Sequence, residues 1–276
     1  KDVWRSLAIG DAMKDVQNTL RACAADPKAA LAWFDSSWAE LIEAAGTHVS
    51  KALPIVRRIA REAALIPLAR DPKEAPKVLV VGEIYVRRDD FAVDELVGLF
   101  SAKGIVAKIA GIGEWIHYLD FVREYDLKKR LKLLPAWKRP FSAEAKKLLR
   151  LKIEELWKHH VEDSVEKALA PSGLTIEAPR DMRKIMANTE RHFLDLELNS
   201  EIAVSSGVAA TAMEEGYSGI VNISPFACLI GRVIEGIFAP WARERNYPTI
   251  SVEVDGNLLP PATVNKLAIF MVNVLR

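Results

Sequence analysis

Cysteine is almost absent: Cys23 and Cys228 are the only two in 276 residues. That count leaves no disulfide framework and fits a cytoplasmic chain. No charge of one sign dominates. The 38 Lys and Arg nearly balance 37 Asp and Glu, whereas a dedicated nucleic-acid binder needs a clear basic excess for its phosphate contacts. Long apolar runs are missing too, because charges interrupt every stretch before it reaches membrane-spanning length. There is no Walker phosphate loop, no Gly-x-Gly-x-x-Gly and no Gly-x-Ser-x-Gly. Any ATP-dependent step therefore belongs to another domain or a partner. The chain opens Lys1-Asp2-Val3-Trp4, with neither an initiator Met nor an apolar signal segment. The expectation is a processed or excised chain that is not secreted.

What is present is ample apolar content: half of the residues are hydrophobic, enough for a sizeable core. Residues 1 to about 70 read as a helical N-terminal segment, with Leu31, Phe34, Trp38, Leu41 and Ile42, then Val56, Ile59, Ala60 and Ala63, at helical spacing. The polar, proline-bearing Asp71–Pro76 is the expected boundary before an α/β region over 71–276. There Lys77–Gly82 is a β-branched run closed by Gly, the pattern of a buried parallel strand. A helix over about 91–103 carries Val93, Leu96, Val97 and Phe100 on one face, and Ile105–Ala110 is a second strand.

Residues 114 to about 200 form a long, charge-laced helical insertion punctuated by Pro135, Pro140, Pro171 and Pro179. Alternation then resumes with a helix at 201–215, a strand at 219–223, a helix at about 226–245, a strand at 249–254 and a final helix from Pro261. Four strands alternating with helices predict an open, mostly parallel sheet of the flavodoxin or Rossmann kind, with helices on both faces.

Ligands of such sheets bind beyond the carboxyl ends of the strands, where strand order reverses. If strands two and three run to opposite sides of strand one, that crevice lies between Gly82-Glu83-Ile84-Tyr85 and Ser224-Pro225-Phe226-Ala227-Cys228. Ser224 is expected as an N-cap with Pro225 at the first helical position. Cys228 then falls in the first turn, where free N–H groups and the helix dipole favour a thiolate, a metal ligand or nucleophile. The other reading is a small buried apolar residue. Glu83 is either a base or acceptor in the crevice, or a cap and partner of Arg87 or Arg88.

The pairing of Gly82-Glu83-Ile84-Tyr85-Val86-Arg87 with Pro225-Phe226-Ala227-Cys228 resembles the 2-hydroxyacyl-CoA dehydratases and the domain beside their ATP-dependent activases. Glu114-Trp115-Ile116-His117-Tyr118, Gly219–Ile223, Asp255-Gly256 and a last helix with Leu267 and Phe270 agree in order. The resemblance runs from about residue 77 to the end, and the helical start looks like the segment preceding this domain in activase-linked members.

It implies a subunit or domain of an iron–sulfur electron-transfer enzyme, an acyl-CoA dehydratase or reductase. An activase or partner subunit would drive it, an acyl-CoA would be its substrate, and Cys228 would be one ligand of a [4Fe-4S] or related cluster. Glu83, Tyr85 and Ser224 would line the crevice, Glu83 and Tyr85 in catalytic roles. Two thiolates cannot hold such a cluster, which takes three or four ligands. The remaining ligands must lie outside this chain, or the cluster has been lost and an interaction module of the same fold remains. Leu229-Ile230 replaces the usual Met-Pro after the motif Cys, and Arg21-Ala22-Cys23-Ala24 does not support Cys23 as a ligand.

Four other features carry less. Asp255-Gly256-Asn257 reads as a turn. His159 and His160 are adjacent, so on a helix they point about 100° apart, and they read as solvated surface. His117, beside Trp115 and Tyr118, reads as packed, and His48 and His192 stand alone. The basic stretch from Lys128 to Arg150 could meet CoA phosphates or an acidic partner, but acidic residues follow it and a solvated face is the plainer reading.

Overall fold

The structure, a computed structural model, describes residues 1–276, the side chain of Ser50 set aside. Four strands, β1 (Lys77–Gly82), β2 (Val106–Ile109), β3 (Gly219–Pro225) and β4 (Thr249–Val254), form one sheet in the order β2-β1-β3-β4. Every pairing is parallel, with Val80 opposite Ile109, Gly82 opposite Ile223 and Pro225 opposite Val254. Strands with both faces covered read as continuous apolar runs rather than alternations. That is the character of β1, where Val78–Gly82 are all buried.

Helices cover both faces. One face of the sheet, through Val78, Val80, Ile109, Val221 and Val252, packs on α4 (Asp90–Ser101) and α10 (Pro261–Val274), which contribute Leu96, Phe100, Leu267 and Phe270. The opposite face, through Leu79, Val81, Val106 and Ile220, packs on α8 (Glu201–Glu214) and α9 (Leu229–Arg243) through Val204, Val208, Ile234 and Phe238. Close approach is built in with glycine. A Cβ on Gly231 of α9 would lie 2.1 Å from Ser224 Oγ, and one on Gly207 of α8 would lie 2.4 Å from the Ile185 carbonyl.

The N-terminal α1 (Asp2–Cys23), α2 (Pro27–Thr47) and α3 (Ala52–Ala63) build a third cluster with the end of α6 (Ala143–Leu169). Met13, Val16, Leu20, Phe34, Val56 and Ile59 meet Val165 and Leu169 there. Helix α1 also runs along the edge strand β2. Asn18 Nδ2 donates to the Ala107 carbonyl at 2.9 Å, a group an unprotected edge would leave open. The expected insertion is α5 (Ile112–Leu133), α6 and α7 (Met182–His192). No described helix is long and apolar enough to cross a membrane.

One expected boundary moves. Ser224 and Pro225 do not open a helix; both belong to β3, because its ladder with β4 continues through Pro225 and closes with Phe226 N–H donating to the Val254 carbonyl. The chain then bends through Ala227, at φ 57, and Cys228 is the N-cap of α9. Ser224 is therefore a buried strand residue facing Gly231, not a cap.

Candidate functional site

Strand order places the reversal between β1 and β3, as expected, and the segments after Gly82 and Ile223 leave the sheet side by side at its carboxyl end. Glu83 N–H donates to the Ile223 carbonyl at 3.0 Å. Gly82, at φ 114, leaves the sheet against that same carbonyl; a Cβ there would stand 2.1 Å from the oxygen. Glu83 Oε2 accepts from Val86 N–H at 2.8 Å, so its carboxylate caps the turn Val86–Arg88. Glu83 thus takes the capping role that its spacing to the arginines allowed. Tyr85 is 76 % exposed and Ser224 is buried.

Cys228 is half-buried at the mouth, with Glu253 of β4 holding the loop before it. The Glu253 carboxylate accepts from Ala227 N–H at 3.2 Å and from Arg232 Nη2 at 2.8 Å. Around the same carboxyl edge of the sheet, Tyr85, Phe226, Leu229 and Leu258 are each more than 70 % exposed.

A second carboxylate joins Glu83. Glu201, in the first turn of α8, lies near the Ile84 backbone and the Glu83 carboxylate. Burial and the neighbouring Glu83 raise its pKa, with Arg87 opposing. Sequence reading used Glu201 only as a helix start; its proximity to Glu83 depends on α8 packing beneath β1, which no local spacing reports.

Behind the crevice lies a chain of buried charges. Arg87, 1 % exposed, pairs with Glu114 at 3.2 Å, and Arg88 pairs with Asp11 at 2.9 Å. Asp11 also accepts from Gly113 N–H at 3.0 Å at the start of α5. Lys108 projects from β2 onto Asp15 of α1. Burial raises the Asp15 pKa to about 6 despite the opposing pull of Lys108. Burial likewise raises Glu114 against the pull of Arg87. Asp11, Asp15, Lys108 and Glu114 border a cavity of about 130 Å³ between α1, α5, α6 and the sheet, also lined by His117, His159 and Glu162.

There the reading of the histidines needs correction. His159 and His160 are both exposed, as a helix surface requires, yet Glu162 at i+3 gives His159 a partner. His159 on α6 and His117 on α5 stack with ring centroids 4.7 Å apart and planes 4° apart. His117 Nε2 lies 2.8 Å from one Glu162 oxygen, and His159 Nδ1 lies 3.3 Å from the other. The signal was in the sequence: Glu162 follows His159 by three residues, one helical turn on the same face. His117 joins only through the packing of α5 on α6. The basic stretch is paired in part: Lys128 reaches Glu124 at 2.5 Å, Lys129 reaches Glu197 at 2.5 Å and Arg150 reaches Glu154 at 2.8 Å.

No protein-family model, no curated protein and no solved structure matches this chain. The residues must therefore speak for any cofactor. Cys23 is fully buried in the apolar core under β1, its thiol pushed up by burial, far from ligand character. Cys228 alone reaches the crevice. One thiolate does not fit a four-iron cluster, so this chain by itself does not assemble one.

Proposed function

We propose that the chain is the α/β component of an iron–sulfur electron-transfer enzyme of the 2-hydroxyacyl-CoA dehydratase or acyl-CoA reductase type, working with an ATP-dependent activase. Its crevice would be completed by a partner subunit or domain that brings the missing ligands. The observation that carries this reading is the juxtaposition at the strand-order reversal. The two stretches on which the family resemblance rests, Gly82–Arg87 and Pro225–Cys228, are far apart in the chain yet flank one crevice. A half-exposed thiol stands at its mouth. In this role Cys228 lends one ligand to a shared cluster, the Glu83 and Glu201 carboxylates supply polar contacts at the crevice wall, and Tyr85 lies at the rim where an acyl-CoA would enter.

The test is anaerobic reconstitution with iron and sulfide, with and without a co-purified partner subunit. The isolated chain should take up no stoichiometric cluster. The assembled complex should show broad visible charge-transfer absorption that Cys228→Ser weakens or alters. A complex whose cluster is indifferent to Cys228→Ser sinks the proposal.

A second reading, an interaction module that has kept the fold without the cluster, is favoured by the exposed apolar rim of Tyr85, Phe226, Leu229 and Leu258. The two part on Cys228→Ala: the module binds its partner undiminished and the assembled complex holds no iron.

A further inference from the structure

We infer that His117, His159 and Glu162 form a binding site for a divalent transition-metal ion of the zinc class, with an exchangeable position facing the cavity beneath α1. This inference rests on none of the iron–sulfur reading; it concerns different helices and different ligand chemistry.

The ligand atoms of the three side chains all lie within 4.8 Å of one another. They come from two helices, His117 from α5 and His159 with Glu162 from α6. Imidazole nitrogens and a carboxylate oxygen are the donors that zinc takes at about 2.0–2.2 Å, and two histidines with one glutamate is a set of open sites, where a fourth position holds water. The His117–Glu162 and His159–Glu162 separations of 2.8 and 3.3 Å leave only small side-chain adjustments for one ion to sit between them.

The site is also shaped for a ligand. His117 is held edge-on by the Trp4 ring at 5.2 Å, and the Trp4 indole is fixed in turn by donating to the Lys158 carbonyl at 3.1 Å. Outer partners that fix a ligand's orientation are characteristic of metal centres. All three residues line the same cavity of about 130 Å³, which has room for several waters. Across it stand Lys108, Asp15 and Glu114, polar groups for whatever occupies the exchangeable position.

The experiment uses the full chain stripped with a chelator and titrated with zinc ion, followed by calorimetry and by the nitrogen resonances of the five histidines in labelled protein. One equivalent should bind. The ring signals of His117 and His159 should shift, while those of His48 and His192 stay. His117→Ala and Glu162→Gln should each weaken binding about tenfold or more. His159→Ala should do the same; its side chain is half-exposed, so it serves as the ligand variant that folds if His117→Ala does not. Cys228→Ser should bind zinc like the wild type. Sub-stoichiometric uptake, or affinity unchanged in His159→Ala, overturns the site. Loss of binding in Cys228→Ser instead moves the metal to the thiol and overturns it equally.

Discussion

At Gly82 the chain must leave β1 while the neighbouring strand continues beside it. The φ of 114 is open to glycine and strained for any L side chain, and the carbonyl of Ile223 fills the space a methyl group would need. Gly82→Ala therefore meets both conformational strain and a backbone clash, the combination behind the larger destabilisations caused by single substitutions, about 2 kcal/mol or more. Chemical denaturation should show the loss directly; a variant as stable as the wild type would mean that the segment after β1 relaxes freely and does not fix the crevice. Ala227, at φ 57, poses the converse case on the other side of the crevice. There a side chain accepts the left-handed conformation so that Cys228 can begin α9. Both features are backbone demands, and only the glycine announces itself in a sequence.

Among the elements, α1 is tied to the sheet by a charge pair as well as by packing. Asp15 and Lys108 are both nearly enclosed, and neither charge reaches bulk water. Removing Lys108 leaves the Asp15 carboxylate buried and uncompensated, so Lys108→Met should cost about 3 kcal/mol or more, whereas Lys108→Met with Asp15→Asn should come close to the wild type or exceed it. The pH dependence has a defined sign. With its folded pKa raised from 3.8 to about 6, Asp15 binds its proton more tightly in the folded chain. Its contribution therefore disfavours folding above about 6 and is relieved as pH falls toward 3.8. Wild-type stability should gain on the double variant across that window, and parallel curves would refute the assignment.

Much of this level was legible beforehand. Lys77–Gly82, with β-branched residues between Pro76 and Gly82, announced β1, and the helix–strand rhythm after residue 200 announced the rest of the sheet. The reversal between β1 and β3 followed once the strands were placed on opposite sides of β1. The helix start at Ser224 did not hold, because a serine–proline pair carries the same local preference whether or not a neighbouring strand captures it, and β4 does. The His117–His159–Glu162 group escaped for a similar reason. Its i, i+3 half lies on one helix and could have been found, but its remaining member arrives through tertiary packing of α5 on α6.

For the molecule as a whole, the carboxyl edge of the sheet exposes four large apolar side chains. Tyr85 follows β1, Phe226 and Leu229 follow β3, and Leu258 follows β4, so adjacent strands deliver them to one side. Large side chains gathered this way mark an interaction surface more often than scattered exposure does. Phe226→Asp with Leu229→Glu should leave the melting temperature within about a degree or two, since exposed positions contribute little to stability. The same pair should abolish co-elution with a partner subunit. Undiminished co-elution at wild-type stability would place the docking surface elsewhere.

The central strand of this sheet also imposes an order on synthesis. β1 gains its first neighbour, β2, within a short stretch of chain, but its other side waits for β3, after all of residues 83–218 have been made. Throughout that interval the β1 backbone has one open hydrogen-bonding side, and pairings this distant along the chain close slowly. Helix α1, made before β1, lies along the outer edge of β2, and α8, made just before β3, packs on the face of β1. Neither covers the side of β1 that β3 will pair with, so that edge stays open to a wrong neighbour until β3 is made.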